Sequence, residues 1–181
     1  MEQMKLWEKN EKNKVQKSLD KNPNTGFIDR YLSFYTKLKY EIQNFPEKYP
    51  CYFIIINFKN VKENCIEKNK EWLNMLGDKL KQIATQNLNQ ITNEIDEHHK
   101  DLKINPANNE ALATLLSNIN KILDLSMEME FRITDVQEQF RILKMYSFEI
   151  EPELHKRADN LGNEWSNLIY QAKKTDFESL Q

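Results

Sequence analysis

Glu94-Ile95-Asp96-Glu97-His98-His99 is the stretch whose residue types and spacing come closest to doing chemistry. On a helix, Glu94 with His98 and Asp96 with His99 fall within one turn, so each acid could share a metal ion with a histidine. A bundle-type metal centre, however, draws inward carboxylates and histidines from several helices, usually two Glu-x-x-His pairs plus two further Glu. This chain has one such neighbourhood, and His155 is its sole other histidine. The apolar positions Leu88, Ile91, Ile95 and Leu102 turn most of the cluster away from the buried face. A solvated polar face is therefore the expected reading. The competing one is a metal-dependent helical-bundle enzyme using Glu94, Asp96, His98 and His99.

Other catalytic constellations are absent from the sequence. Gly26, Gly77 and Gly162 stand singly, and none opens a phosphate-cradling motif. No Ser-His-acid or Cys-His arrangement can be assembled. Cys51 and Cys65 lack a second pair for a zinc set and read as two reduced, packed thiols. No catalytic residue, cofactor or metal is expected.

The composition points to an all-α fold. Charged residues make up 30% of 181, with three Gly and five Pro, which favours long helices over a turn-rich β architecture. The expected form is an elongated bundle of about five helices, several of them long. The 26 basic and 28 acidic residues are interspersed, so no basic block offers itself to nucleic acid. Cys51 to Ile56, the longest apolar run, is far shorter than the roughly 20 residues of a membrane span.

Positioning of the chain's side chains rests on Leu112 to Leu143. Leu112, Leu115, Ile119, Ile122, Ser126, Met129, Ile133, Val136, Phe140 and Leu143 step by three and four, and only Ser126 is polar. Asn105-Pro106 supplies a start signal. No Gly or Pro intervenes before Tyr146, which predicts one helix of about 40 residues and about 60 Å. Leu116, Leu123, Leu125 and Phe131 widen the stripe beyond a two-stranded seam, so the stretch reads as the spine of a bundle.

Around that spine, residues 1–26 form a weakly amphipathic helix and turn, with Trp7 as the candidate interface anchor, and 27–181 the helical bundle proper. Ile28, Tyr31, Tyr35, Leu38, Ile42 and Phe45 mark a helix ended by Pro46. Tyr52 to Ile56 is β-branched and aromatic, and is predicted to be an inaccessible strand that pairs as a small two-stranded ribbon, 52–58 with 146–150. Asn60-Val61-Lys62-Glu63 resembles a capping box opening a third helix, with Val61, Cys65, Trp72, Leu76, Leu80, Ala84, Leu88, Ile91, Ile95 and Leu102 inward and Gly77 marking a bend. A last helix follows Pro152 through Leu154, Ala158, Leu161, Trp165, Leu168 and Ala172. Trp72 and Trp165 are expected core anchors. Glu128 with Arg132, and Glu138 with Arg141, are expected same-helix ion pairs.

The order of these features resembles the tail of axonemal dynein heavy chains, in the region ahead of the linker. The resemblance is carried by the helix from Phe27 to Phe45, Phe53-Ile54-Ile55-Ile56-Asn57-Phe58 leading into Val61-Lys62, Trp72, Pro106, Leu112, Met129-Glu130-Phe131-Arg132-Ile133, Glu138-Gln139-Phe140-Arg141-Ile142-Leu143, and Trp165 with Leu168. It covers most of residues 27 to 172. What it implies is a non-catalytic structural segment of a microtubule motor that transmits force and scaffolds subunit assembly. The implied partners are other dynein subunits (heavy, intermediate or light chains) or axonemal docking proteins. The implied location is the cytoplasmic cytoskeleton, in the axoneme of a cilium or flagellum. Chains of that family are far longer and carry an ATPase ring, so the sequence is expected to be either a piece of a heavy chain or a short protein retaining the tail module. A stand-alone cytoskeletal scaffold similar to a spectrin-type bundle is the alternative.

Overall fold

A computed structural model describes residues 9–21, 23–103 and 108–179. The chain divides into two compact units, Met1–Ile83 and Ala84–Gln181.

The first unit contains α1 (Lys9–Asp20), α2 (Thr25–Asn44), β1 (Lys48–Cys51), β2 (Ile54–Asn57) and the part of α3 (Lys59–Leu102) up to Ile83. Asn24 starts α2: its side-chain oxygen accepts from the Phe27 N–H at 2.8 Å. The helix stops because Phe45 precedes Pro46, and that proline pushes Phe45 into the extended region (φ −68°, ψ 133°). Val15, Leu19, Ile28, Leu32, Tyr35, Leu38, Trp72, Leu76 and Leu80 are buried. Tyr35 and Trp72 stack with ring centroids 5.2 Å apart. Next to them the buried Asn69 donates from Nδ2 to the Tyr35 carbonyl at 2.9 Å. Val61, expected inside, is exposed, while α3 runs unbroken through a buried Gly77.

The strand expectation needs correction. Ile54–Asn57 pairs with Lys48–Cys51, not with residues 146–150. A two-residue loop, Tyr52-Phe53, brings the two strands together locally, with Tyr52 at φ 52°. Residues 146–148 are occupied otherwise: they close the following helix. Ser147, at φ 59°, donates its N–H to the Lys144 carbonyl, and Phe148 donates to Leu143, the paired bonds of a Schellman cap. Nor is the strand inaccessible, since every residue of β1 and β2 is exposed. Asn57, rather than Asn60, caps α3, its side chain accepting from the Lys59 N–H at 2.9 Å.

The second unit comprises the rest of α3, α4 (Asn109–Asp124), α5 (Ser126–Met145) and α6 (Pro152–Ser179). Asn105-Pro106 lies outside the described residues; the cap of α4 is Asn108, accepting from the Ala111 N–H at 2.8 Å. The predicted continuous spine is two helices, interrupted at Leu125. Helical bonds persist on both sides of that residue, Leu125 donating to Lys121 and Met129 to Leu125. The break coincides with Ser126, the polar position of the seam, a residue tolerated better at a helix start than within it. That interruption accounts for six helices among the described residues where about five were expected. α6 lies against both α4 and α5. No helix among the described residues is long and apolar enough to cross a membrane.

Candidate functional site: the apolar seam of the second unit and its polar clamps

The seam is built by helical period. Leu115, Ile119 and Ile122 of α4, and Met129, Ile133, Val136, Phe140 and Leu143 of α5, are all buried, whereas Leu112 is half-buried. From α3 come Ala84, Leu88, Ile91 and Ile95, and from α6 Ala158, Leu161, Trp165, Leu168 and Ala172, all buried. Such close-packed apolar stripes supply stability but tolerate slippage by a turn, because one aliphatic side chain resembles the next. Register has to come from groups that are directional.

Those groups flank the seam. Arg132 of α5 grips Glu94 of α3 with both terminal nitrogens, at 2.6 and 2.8 Å, and Gln90 donates to the same carboxylate at 2.9 Å. The hydrogen bonds from Arg132 hold the Glu94 carboxyl below its ordinary value against the opposing effect of burial. By the same bonds Glu94 raises the Arg132 guanidinium. Both side chains are about one-third exposed, 32% and 29%, so this is a half-sheltered, bidentate pair rather than a surface contact. A second polar group, Gln139, is buried outright: its Nε2 donates to Asp135 at 2.7 Å, and its Oε1 accepts from Asn87 of α3 at 3.4 Å. Towards α6, Gln137 donates to the Ala158 carbonyl at 3.2 Å, and Arg157 reaches Asn89 and Thr92 at 3.3 and 3.4 Å. Helices α3, α5 and α6 are thus tied to one another by directional bonds as well as by apolar contact.

Of the one cluster that suggested chemistry, these ties engage Glu94 alone. Glu94 is engaged by Arg132, Asp96 is exposed, and His98 stands 3.9 Å from Asp101. Among the described residues no group of three or more His, Cys, Asp or Glu is placed to share a metal ion. An open groove on this unit is lined by residues of α6 alone, from Glu153 to Glu164.

Of the two described tryptophans, Trp72 belongs to the first unit's core and Trp165 to the second's, where its indole Nε1 is buried without a hydrogen-bond partner. Trp7 lies outside the described residues. Glu138 and Arg141 do pair, at 2.6 and 2.7 Å. Arg132 feels the charge of Glu128, but its hydrogen bonds go elsewhere. It bonds a residue 38 positions away, which no same-helix spacing rule could find. The available signal was positional: Arg132 sits next to the seam residue Ile133, where a long polar side chain reaches a neighbouring helix.

A family model described as the dynein axonemal heavy chain 2/5/8 coiled-coil matches residues 74–180. Among curated relatives, dynein axonemal heavy chain 10 of Homo sapiens is 30% identical over 165 residues, covering 91% of this chain. Dynein axonemal heavy chain 2 of Homo sapiens is 21% identical over 175 residues, covering 97%. The dynein-1-alpha heavy chain of the flagellar inner arm I1 complex of Chlamydomonas reinhardtii is 22% identical over 177 residues, covering 95%. In each case the aligned stretch is 4% of the relative's length. With the coiled-coil match extending over more than half of its residues, this chain belongs to the axonemal dynein heavy chains, in their coiled-coil region.

Proposed function

We propose that this chain serves as a non-catalytic structural segment of a dynein heavy-chain tail, transmitting force and scaffolding subunit assembly in the axoneme of a cilium or flagellum. The observation that carries the reading is the combination, in the second unit, of a closed apolar seam with the bidentate Glu94–Arg132 clamp. Stability spread along packed helices shares a load among many contacts, and directional bonds stop the helices sliding past one another. Nothing in this role requires a reacting group. Its partners are other axonemal dynein components, heavy, intermediate or light chains or docking proteins. Motor ATPase activity is assigned to parts of the heavy chain other than this segment.

The test is made in the whole motor. A heavy chain carrying Ile133→Asp buries an unpaired carboxylate in the seam. The expected result is loss of that heavy chain from isolated axonemes, with ATP hydrolysis by the extracted protein unchanged per head. Normal axonemal content, or hydrolysis abolished in a correctly incorporated motor, would overturn the reading.

A further inference from the structure

Cys65, Asn69, Trp72 and Leu76 follow one another along α3 in steps of four, three and four, so the amide of Asn69 stands where helical period calls for an apolar group. It is 3% exposed, and the Trp72 and Leu76 that follow it are buried as well. A buried amide is tolerated where its polar atoms are bonded, because each one stripped of water without a replacement carries its full desolvation cost. The two ends of this amide fare differently. Nδ2 donates to the Tyr35 carbonyl of α2 at 2.9 Å. That carbonyl can only accept, which fixes the amide with Nδ2 towards Tyr35 and Oδ1 away from it. No donor among the described residues reaches Oδ1.

Beside Asn69 the contact between the two helices opens into a small cleft, bounded by Tyr35, Leu38 and Ile42 of α2 and by Cys65, Asn69 and Trp72 of α3. It leaves about 10 Å³ for the centre of a water molecule, at the lower end of the ~10–15 Å³ that one water requires by that measure. That is room for one water and not for a larger ligand. Lys68 also borders the cleft, but its ammonium is turned to Glu71, 2.8 and 2.9 Å from the two carboxylate oxygens. The Cys65 thiol, one helical turn before Asn69, supplies a second polar group. Burial pushes this thiol up, which keeps it a neutral S–H able to donate and to accept.

We infer that this cleft is a binding site for a single structural water, which donates one hydrogen to Asn69 Oδ1 and bonds the Cys65 thiol with its remaining capacity. Two polar partners meet the lower bound for an internal water. The amide is then satisfied at both ends, by the Tyr35 carbonyl and by the water, and α2 is tied to α3 through it. Such a hydrated amide also fixes register, as a buried asparagine does in a coiled coil. Sliding α3 by one turn would carry Asn69 away from the Tyr35 carbonyl and strand both ends of its amide in an apolar seam.

Water-to-protein magnetisation transfer in the NMR spectrum of the chain, together with urea unfolding, tests this. The wild type is expected to show cross-peaks between water and the Asn69 side-chain amide protons, with the sign given by a water that tumbles with the protein. Cys65→Val, whose larger side chain fills the cleft, should abolish them. It should also raise the unfolding equilibrium constant about tenfold, because Oδ1 is left unbonded. In an Asn69→Leu background no acceptor remains to be stranded, and the same Cys65→Val change should shift the constant by no more than about twofold. An equal cost in both backgrounds would show a steric effect and overturn the inference. A wild type without those water cross-peaks overturns it whatever the variants do.

Discussion

Phe140 and Phe131 lie on the same helix nine positions apart, and truncating each to alanine should give opposite results. Phe140 is 1% exposed, packed in the seam with its ring centroid 6.3 Å from that of His155. Phe131 is 70% exposed. Removing a buried phenyl group forfeits its transfer free energy and leaves a void that the surrounding helices fill only in part, a cost of about 3–5 kcal/mol. Removing an exposed one costs within about 0.5 kcal/mol. At about 2–4 °C per kcal/mol for a chain of this size, Phe140→Ala should lower the melting temperature by about 10 °C and Phe131→Ala by about 1 °C. Far-UV circular dichroism during urea and thermal denaturation reads both, with an unchanged urea slope showing that the same surface unfolds. Costs equal within about 1 kcal/mol would mean that the register of α5 is wrong and the packing argument with it.

Two further outcomes follow from the clamp and from the glycine on α6. Glu94→Gln should cost about 1 kcal/mol at neutral pH, since a charge-assisted bond is lost at a site still partly open to water. The Glu94 carboxyl lies lower in the folded chain than in the unfolded one. Its contribution is therefore fully present above the unfolded value of about 4.3 and disappears as pH falls through the folded value. Wild type and Glu94→Gln should thus differ in stability at pH 7 and converge in acid; a gap that is constant with pH contradicts the assignment. Gly162→Ala should stabilise the chain by about 0.5–1 kcal/mol, because a Cβ there meets only Gln137 Nε2 at an ordinary 3.9 Å and the unfolded chain loses freedom. A lower melting temperature for that variant would show that α6 packs more tightly than the geometry indicates.

The seam was legible because burial at Leu115, Ile119, Met129, Ile133 and Phe140 follows directly from helical period. Phe131 misled by type alone: it is two residues, about 200° of helical rotation, from Met129, and so faces out. The hairpin was hidden because its loop, Tyr52-Phe53, lacks the Gly or Asn that normally announces positive φ, and Ser147 takes the same conformation where glycine usually closes a helix. The interruption at Leu125 carries neither Gly nor Pro. Arg132 found its partner through tertiary packing, which a same-helix rule assigns to Glu128 instead. Local period, in short, is written in the chain residue by residue, whereas pairing across distance is not.

The most direct test of the account is a charge exchange across the clamp, read in the axoneme. Heavy chains carrying Glu94→Arg or Arg132→Glu place like charges where a bidentate pair stood, and the double exchange restores the attraction in reverse. Each single variant is expected to be depleted from isolated axonemes and the double variant to return towards the wild-type amount. Single variants that incorporate as well as wild type would contradict the claim that this clamp holds the helices in their working register.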